Sequence, residues 1–455
     1  MILNIDVRQY PPGGLLMTLL DLTPRTAMSD RLATLPVVII GAGPIGLAAA
    51  ANLVERGIDF TILEAGDRVA ASIRLWGHTR LFSPWRHLID PPSRRLLEAA
   101  GWTAPADEGR APTGREFVDE YMEPLASLPE IGTRIRFGAR VVAVTRDGMD
   151  RTRTAGRAQA PFLLRLQTCC SGVEELTGRA VIDASGTYTT PNPLASSGLD
   201  PIGAADVEGL VLHALPDVLG ADRASVAGRR TVVVGAGHSA ANTLIALAQL
   251  ANDEPGTRVT WLIRNPSATR VSSSPDDELA DRAKLGSRVD QLVRTGQVAL
   301  VDSFEITQLQ VHDGGVRLIG RCRGEEALLD ADLVVNATGF RPDLSMLREV
   351  RLELDDIVEA PRRLAPLIDP NLHSCGTVSP HGFAELRHPE PGFFLVGMKS
   401  YGRAPTFLLA TGYEQVRSIS AWLDGDMPAA TEVKLTLPPT GVCSTDPGTA
   451  TSCCS

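Results

Sequence analysis

Two short runs of this chain put glycine where phosphate chemistry needs it. The first is Leu35-Pro-Val-Val-Ile-Ile-Gly41-Ala-Gly43-Pro44-Ile-Gly46, which continues into an alanine-rich run through Leu53. The second is Arg230-Thr-Val-Val-Val-Gly235-Ala-Gly237-His-Ser239-Ala240, which continues into an apolar run to Leu250. In each, an apolar stretch reads as a buried strand whose glycines mark its turn into a helix. In the first run Gly41 allows the tight turn, Gly43 lets backbone approach a pyrophosphate, and Gly46 lets helix and strand pack closely. The helix start then offers unpaired N–H groups and the positive end of the helix dipole to the anion. Phe60-Thr-Ile-Leu-Glu64 reads as the next strand, with Glu64 set to accept hydrogen bonds from a ribose 2′-OH. The corresponding strand of the second unit runs from Arg258 and ends in a cation, Arg264, which suits a 2′-phosphate and favours NADPH over NADH. A chain with both units holds two different nucleotides and passes electrons between them.

The elements that position these runs follow from pattern. Ile135 to Thr145 and Phe162 to Gln167 read as the strands of a long hairpin, joined by a polar, arginine-rich loop from Arg146 to Ala158. Ala180-Val-Ile-Asp-Ala-Ser-Gly186 and Ala331-Asp-Leu-Val-Val-Asn-Ala-Thr-Gly339 read as matching buried strands that end in glycine turns. They mark where the chain leaves and re-enters its first domain, so the second nucleotide unit is an insertion in the first. Phe393 to Gly397 reads as a last strand and Ala404 to Trp422 as a long helix. The stretch before Leu35 has no helical or strand period and reads as a disordered extension, or as a misplaced start with Met28 as initiator. The tail from Pro438 is rich in Gly, Ser, Thr and Pro and reads as mobile.

At 455 residues the chain exceeds one ordinary core. A formal net charge of -10 argues against nucleic-acid and anionic-membrane partners. No apolar run approaches the ~18 to 20 residues of a membrane span, and Gly14 to Leu20 lacks the basic flank and cleavage site of a signal peptide. The seven cysteines (Cys169, Cys170, Cys322, Cys375, Cys443, Cys453, Cys454) are odd in number and suggest no disulfide framework. These features predict a cytoplasmic protein. His373, Cys375, His381 and His388 match no structural zinc spacing, and no metal is expected.

On these runs the chain resembles the two-dinucleotide-binding-domain flavoproteins, and within them the FAD- and NADPH-dependent flavin-containing monooxygenases, over roughly residues 35 to 425. The resemblance implies an α/β fold with two Rossmann-like dinucleotide-binding domains, the NADPH-binding domain inserted into the FAD-binding domain. The expected bounds are 35–204 and 336–425 for FAD, 205–335 for NADPH, with 1–34 and 426–455 as extension and cysteine-containing tail. It implies that Gly41, Gly43, Pro44, Gly46 and Glu64 hold the ADP part of FAD, and that Val141 meets the adenine with its backbone. Gly186 and Gly339 correspond to the strand-end glycines, and Gly397 with Met398 to the strand reaching the flavin. Gly235, Gly237, Ser239, Ala240 and Arg264 correspond to the NADPH site. Leu75 to His87, with Trp76 and Trp85, lies where relatives wrap the flavin ring. The catalytic residues are not named by any motif; Lys399 and Arg403 are flavin-proximal candidates, placed with Tyr401 to offset charge on reduced flavin.

The resemblance departs in two places. The linker motif FxGxxxHxxx(aromatic) survives only as Gly209 and His213, with Val207 and Asp217 where aromatics belong. Met398 and Lys399 stand where many relatives carry an aspartate for the ribityl chain. The implied reaction is hydride transfer from NADPH to FAD, then oxygen transfer from a C4a-hydroperoxyflavin to a soft nucleophile (sulfur, nitrogen or trivalent arsenic), with O₂ and a small molecule as partners. A disulfide or metalloid reductase is the second reading, although no CxxC or CxxxxC spacing occurs in the chain. A non-catalytic flavoprotein sensor is the third. Cys443, Cys453 and Cys454 also resemble the thiols of flavoproteins associated with arsenic resistance, and three thiolates suit a soft metalloid.

Overall fold

A computed structural model describes residues 32–168, 172–267, 280–369, 380–405 and 407–435. Strand β1 (Val37–Ile40) is buried along its whole length. An all-apolar strand needs cover on both faces, which a parallel sheet with flanking layers supplies. It leads into helix α1 (Pro44–Glu55), and then come β2 (Phe60–Leu63), helix α2 (Pro91–Ala99) and the two-residue β3 (Ile135–Arg136). A meander follows, β4 (Ala139–Arg146), β5 (Phe162–Thr168) and β6 (Val173–Gly178), before β7 (Ala180–Asp183). The second unit holds β8 (Val211–Leu212), β9 (Arg230–Val234), helix α3 (His238–Asp253), β10 (Arg258–Leu262) and β11 (Ala299–Val301). It continues through β12 (Phe304–His312), β13 (Gly315–Cys322), β14 (Glu325–Ala331) and β15 (Leu333–Asn336). After these come β16 (Phe393–Leu395), helix α4 (Leu409–Leu423) and a short helix, Met427–Thr431.

Two parallel sheets result, with strand orders β16-β7-β1-β2-β3 and β11-β10-β9-β15-β8. Each is accompanied by a three-stranded antiparallel sheet, β4-β5-β6 and β12-β13-β14. Every strand of the second parallel sheet lies between Val211 and Asn336. The first sheet takes its strands from both sides of that interval. The two crossing segments pair with each other: Pro191 bridges Phe340, Asn192 N–H donates to Gly339 C=O at 2.9 Å, and Arg341 N–H to Thr190 C=O at 3.0 Å.

Two sequence readings change, and two features were not read at all. The run from Ile135 to Thr145 is not one strand: Gly138, at φ +62°, turns the chain out of the parallel sheet after Arg136 and into the antiparallel one. The arginine-rich loop is anchored at both ends by buried charge. Arg146 and Arg157 are buried and grip the buried Glu390 at 2.8 and 2.7 Å, with Arg146 lying 3.6 Å from the Phe162 ring centroid. Burial alone would raise the Glu390 carboxyl, but hydrogen bonds from the two guanidinium groups overcome it and hold the carboxyl low. The long helix begins at Leu409, not Ala404, because Gly397–Tyr401 forms a 3₁₀ turn and Gly402 reverses the chain at φ +57°. Strands β12 to β14 escaped the sequence reading although Asp313-Gly314 and Arg323-Gly324, all at positive φ, are two-residue hairpin turns.

Candidate functional site

The first glycine run forms an open cradle. Gly41 sits at φ +99°, and a Cβ there would lie 2.9 Å from the Ala184 carbonyl oxygen, so the turn is wedged against the end of β7. A Cβ on Gly46 would lie 1.9 Å from the Gly41 oxygen, so α1 packs directly on the turn. Between them Gly43 faces open space, with nothing within 4 Å of a Cβ. Gly43 is the N-cap of α1, no side chain caps that end, and Pro44 occupies the first turn. Glu64 is buried at the end of β2, where its Oε2 accepts from Ala42 N–H and its Oε1 from Gly66 N–H, both at 2.7 Å. Each carboxylate oxygen keeps a second lone pair for a ribose hydroxyl.

The second run repeats this geometry. Gly235 sits at φ +131°, and its Cβ would meet the Ala337 oxygen at 2.1 Å; Gly237 faces open space and caps α3 without a side-chain partner. Ala240 is buried and Ser239 lies in the first turn. Arg264, exposed two residues beyond β10, lines a cavity of about 380 Å³ with Gly235, Asn265 and Arg403. Vacant space before an uncapped helix end, twice, fits two pyrophosphates.

The remaining predicted residues fall in different places. Gly186 (φ +72°) and Gly339 (φ +96°) lie just past β7 and β15, in the crossing segments. Val141 sits in β4 beside a register shift in its pairing with β5. Gly397 (φ +66°) follows β16, and a Cβ on it would press Ile45 of α1 at 3.0 Å. Met398 is partly exposed. His213 completes a three-ring cluster with Tyr188 at 4.6 Å and Phe340 at 5.6 Å, themselves 5.0 Å apart, so rings from the two crossing segments stand beside it where the motif's own aromatics are absent.

Lys399 is buried and paired rather than open. Its side chain is 1% exposed, with Nζ 2.7 Å from Asp183 Oδ2 and 3.1 Å from Ser185 Oγ. Asp183 thus balances the charge that was expected to serve reduced flavin, and the pair ties the end of β7 to the turn after β16. Tyr401 is likewise buried, whereas Arg403 is half-exposed and paired with Glu359 at 2.7 Å, on the coenzyme side. In the ring-wrapping loop, Trp85 is fully buried against Phe117, and Trp76 packs over Gly114, whose Cβ would meet its ring at 2.9 Å. Trp85 therefore packs the protein's own core, Trp76 keeps part of its surface open, and Phe82 contacts His238 of α3 with ring centroids 5.2 Å apart. Gln415 was missed: buried on α4, it accepts from Gly397 N–H at 2.8 Å and donates to Ser400 Oγ at 2.9 Å, fixing the turn after β16. His381 takes part in that same network (3.0 Å to Gln415), and His388 accepts from Glu353 N–H at 3.2 Å. Cys169, Cys170, His373, Cys375, Cys443, Cys453 and Cys454 lie outside the described residues.

Comparison with known proteins agrees with this geometry. Residues 38–153 and 169–371 match the family model for pyridine nucleotide-disulphide oxidoreductases. The chain is 32% identical over 323 residues to the indole-3-pyruvate monooxygenase YUCCA6 of Arabidopsis thaliana, covering 70% of this chain and 67% of that enzyme. The match to the rice enzyme YUCCA1 is 28% identical and spans 65% of that protein. Among solved structures, the bacillithiol disulfide reductase Bdr of Bacillus cereus superposes with TM-score 0.63 at 21% identity, over 86% of this chain and 99% of that one. The FAD-bound cadaverine monooxygenase DfoA of Erwinia amylovora gives 0.62 at 14% identity, over 89% and 98%. Among the described residues no helix is long and apolar enough to cross a membrane. With two nucleotide cradles and a family match over most of its length, the chain belongs to the pyridine nucleotide-disulphide oxidoreductase family and is an enzyme that uses FAD and NADP(H).

Proposed function

We propose that the protein takes hydride from NADPH and delivers one atom of O₂ to a soft nucleophile, releasing the other as water. The chemistry supplied by the flavin, when bound, is acceptance of the hydride and activation of O₂. The protein's own groups bind and orient. The open approach at Gly43 with Glu64 suits the ADP part of FAD, and that at Gly237 with Arg264 suits NADPH. The buried Lys399–Asp183 pair and Gln415 hold the ends of β7 and β16 beside the first cradle. The observation that carries the reading is the pairing of two such cradles with a sequence that has no CxxC or CxxxxC dithiol for disulfide exchange. The monooxygenases among its relatives favour the same choice.

The test is stoichiometry. NADPH oxidation by the FAD-loaded protein is expected to consume O₂ and to yield oxygenated acceptor in equal amounts, and to stop when O₂ is removed. Sustained anaerobic turnover with a disulfide would support the reductase instead, and peroxide in place of product would make the protein an oxidase. We extend the acceptors to trivalent arsenic on the strength of Cys443, Cys453 and Cys454, and the location to the cytoplasm because the sequence offers neither a secretion signal pattern in Gly14 to Leu20 nor an evident disulfide framework. Replacing the three tail cysteines by serine is expected to abolish arsenite binding; unchanged arsenite affinity would remove the metalloid.

A further inference from the structure

A second cavity, of about 340 Å³, lies against α3 and shares no lining residue with the one beside Arg264. It is built by three segments: the loop that carries Arg80, the chain from Leu215 to Leu219, and the second and third turns of α3. Leu215, Val218, Leu219 and Ile245 give it an apolar wall. Leu215 is held at φ +61°, a conformation that leucine rarely adopts and that tends to persist where surrounding structure demands it.

The charges at the rim are unequal. Asp217 is turned onto its own turn, accepting from Ala221 N–H at 3.2 Å. Arg80 donates one N–H to the Ala111 carbonyl at 2.6 Å, and its nearest carboxylate, Glu116, is 3.9 Å away. That carboxylate is already engaged by Arg110 at 2.8 Å and by Thr113 N–H at 2.6 Å. With its side chain 54% exposed, Arg80 keeps most of its donor fork available.

The cavity also adjoins the coenzyme cradle. Phe82, two residues after Arg80, touches the ring of His238, the first residue of α3. Asn242, one turn further along, donates to the His238 carbonyl at 3.0 Å and lines the cavity. We infer that this cavity receives the oxygen acceptor and selects a small organic anion, with its apolar body against Leu215 and Ile245 and its carboxylate, or a like oxyanion, on Arg80. The inference rests on the oxygenase reading and names the substrate class for it. For a thioether the balance is R–S–R′ + O₂ + NADPH + H⁺ → R–S(O)–R′ + NADP⁺ + H₂O: the sulfur lone pair forms the new S–O bond, and NADPH supplies the two electrons that reduce the second oxygen atom to water.

The test uses two matched thioethers of opposite head charge, (phenylthio)acetate and 2-(phenylthio)ethylamine, titrated calorimetrically into the FAD-loaded protein. The anion is expected to bind at least about tenfold more tightly, the scale of one hydrogen bond to a charged group. Arg80→Gln should erase the preference and Arg80→Glu reverse it, while Ile245→Trp, which fills the cavity, should weaken both ligands. Equal binding of the two ligands, no binding of either, or a preference that survives Arg80→Glu would overturn the site. Sulfoxide assays with NADPH and O₂ separate the two claims. An Arg80-dependent anion that is bound but never oxygenated would leave an anion site standing and overturn its acceptor role. Turnover of both thioethers at equal efficiency, unchanged by Arg80→Glu, would keep the oxygenase and overturn the anion site.

Discussion

Alanine at Gly43 and alanine at Gly46 should act in opposite senses, although the two glycines are three residues apart. Gly43 has φ −82° and ψ −174°, extended backbone that any residue adopts, and its missing side chain faces open space. Alanine there fits the FAD-free protein and, by narrowing the unfolded ensemble, should stabilise it by about 0.4–1 kcal/mol. The added methyl stands where the pyrophosphate must come. Loss of one hydrogen bond to a charged group costs about 1.5–3 kcal/mol. At about 1.4 kcal/mol per decade that is roughly a 10- to 150-fold rise in the FAD Kd. At Gly46 the same methyl would lie 1.9 Å from the Gly41 carbonyl oxygen, a backbone atom that cannot swing aside. Overpacking of this kind costs about 1–3 kcal/mol, occasionally more. The assay is thermal unfolding of both FAD-stripped variants, followed by FAD titration monitored by quenching of flavin fluorescence. Wild-type FAD affinity in Gly43→Ala would refute the cradle, and wild-type stability in Gly46→Ala would refute the close packing.

Lys399→Met strands the buried Asp183 carboxylate and should cost about 3–5 kcal/mol in urea unfolding, most of it recovered in Lys399→Met/Asp183→Leu; a loss under 1 kcal/mol would mean the pair holds nothing. Arg264→Ala should raise the NADPH KM roughly 10- to 150-fold and leave NADH nearly unchanged, whereas equal losses would sink the case for the 2′-phosphate. His388 is buried, which pushes its imidazole down from 6.5 to about 4. Its unfolded form therefore binds the extra proton first as pH falls. The native state keeps its full stability above about 6.5 and loses up to about 3 kcal/mol between there and pH 4. His388→Gln should flatten that limb of a stability–pH curve, and an unaltered slope would assign the acid sensitivity elsewhere.

What the sequence disclosed, and what it hid, divides by the range of the constraint. The roles given to Gly41, Gly46 and Gly235 follow from a strand turning into a helix within six residues, so spacing alone exposes them. Glu64 was equally legible, because the end of β2 must lie beside the turn after β1. The fate of Lys399 was not, because its partner Asp183 is 216 residues away and no local pattern announces the pairing. Arg146, Arg157 and Glu390 were hidden for the same reason, since a polar loop composition does not show which of its arginines are buried. The density of rings and charges around Trp76 and Trp85 suggested contact with a cofactor, yet Trp85 is fully buried in the core, a use that aromatic content cannot distinguish from binding. The Asp313-Gly314 and Arg323-Gly324 turns are a different matter, since their hairpin signal was present and strong.

Strand β7 finds its outer neighbour in β16, more than two hundred residues later, whereas all the strands of the inserted sheet are drawn from one continuous interval. During synthesis the interior unit thus has everything it requires well before the polypeptide that surrounds it. The earliest-made sheet must wait with an open edge until Phe393 emerges, several seconds after Asn336 at ~5–20 residues per second. The inserted unit is complete in the emerging chain first, and the sheet that flanks it gains its last strand only afterwards.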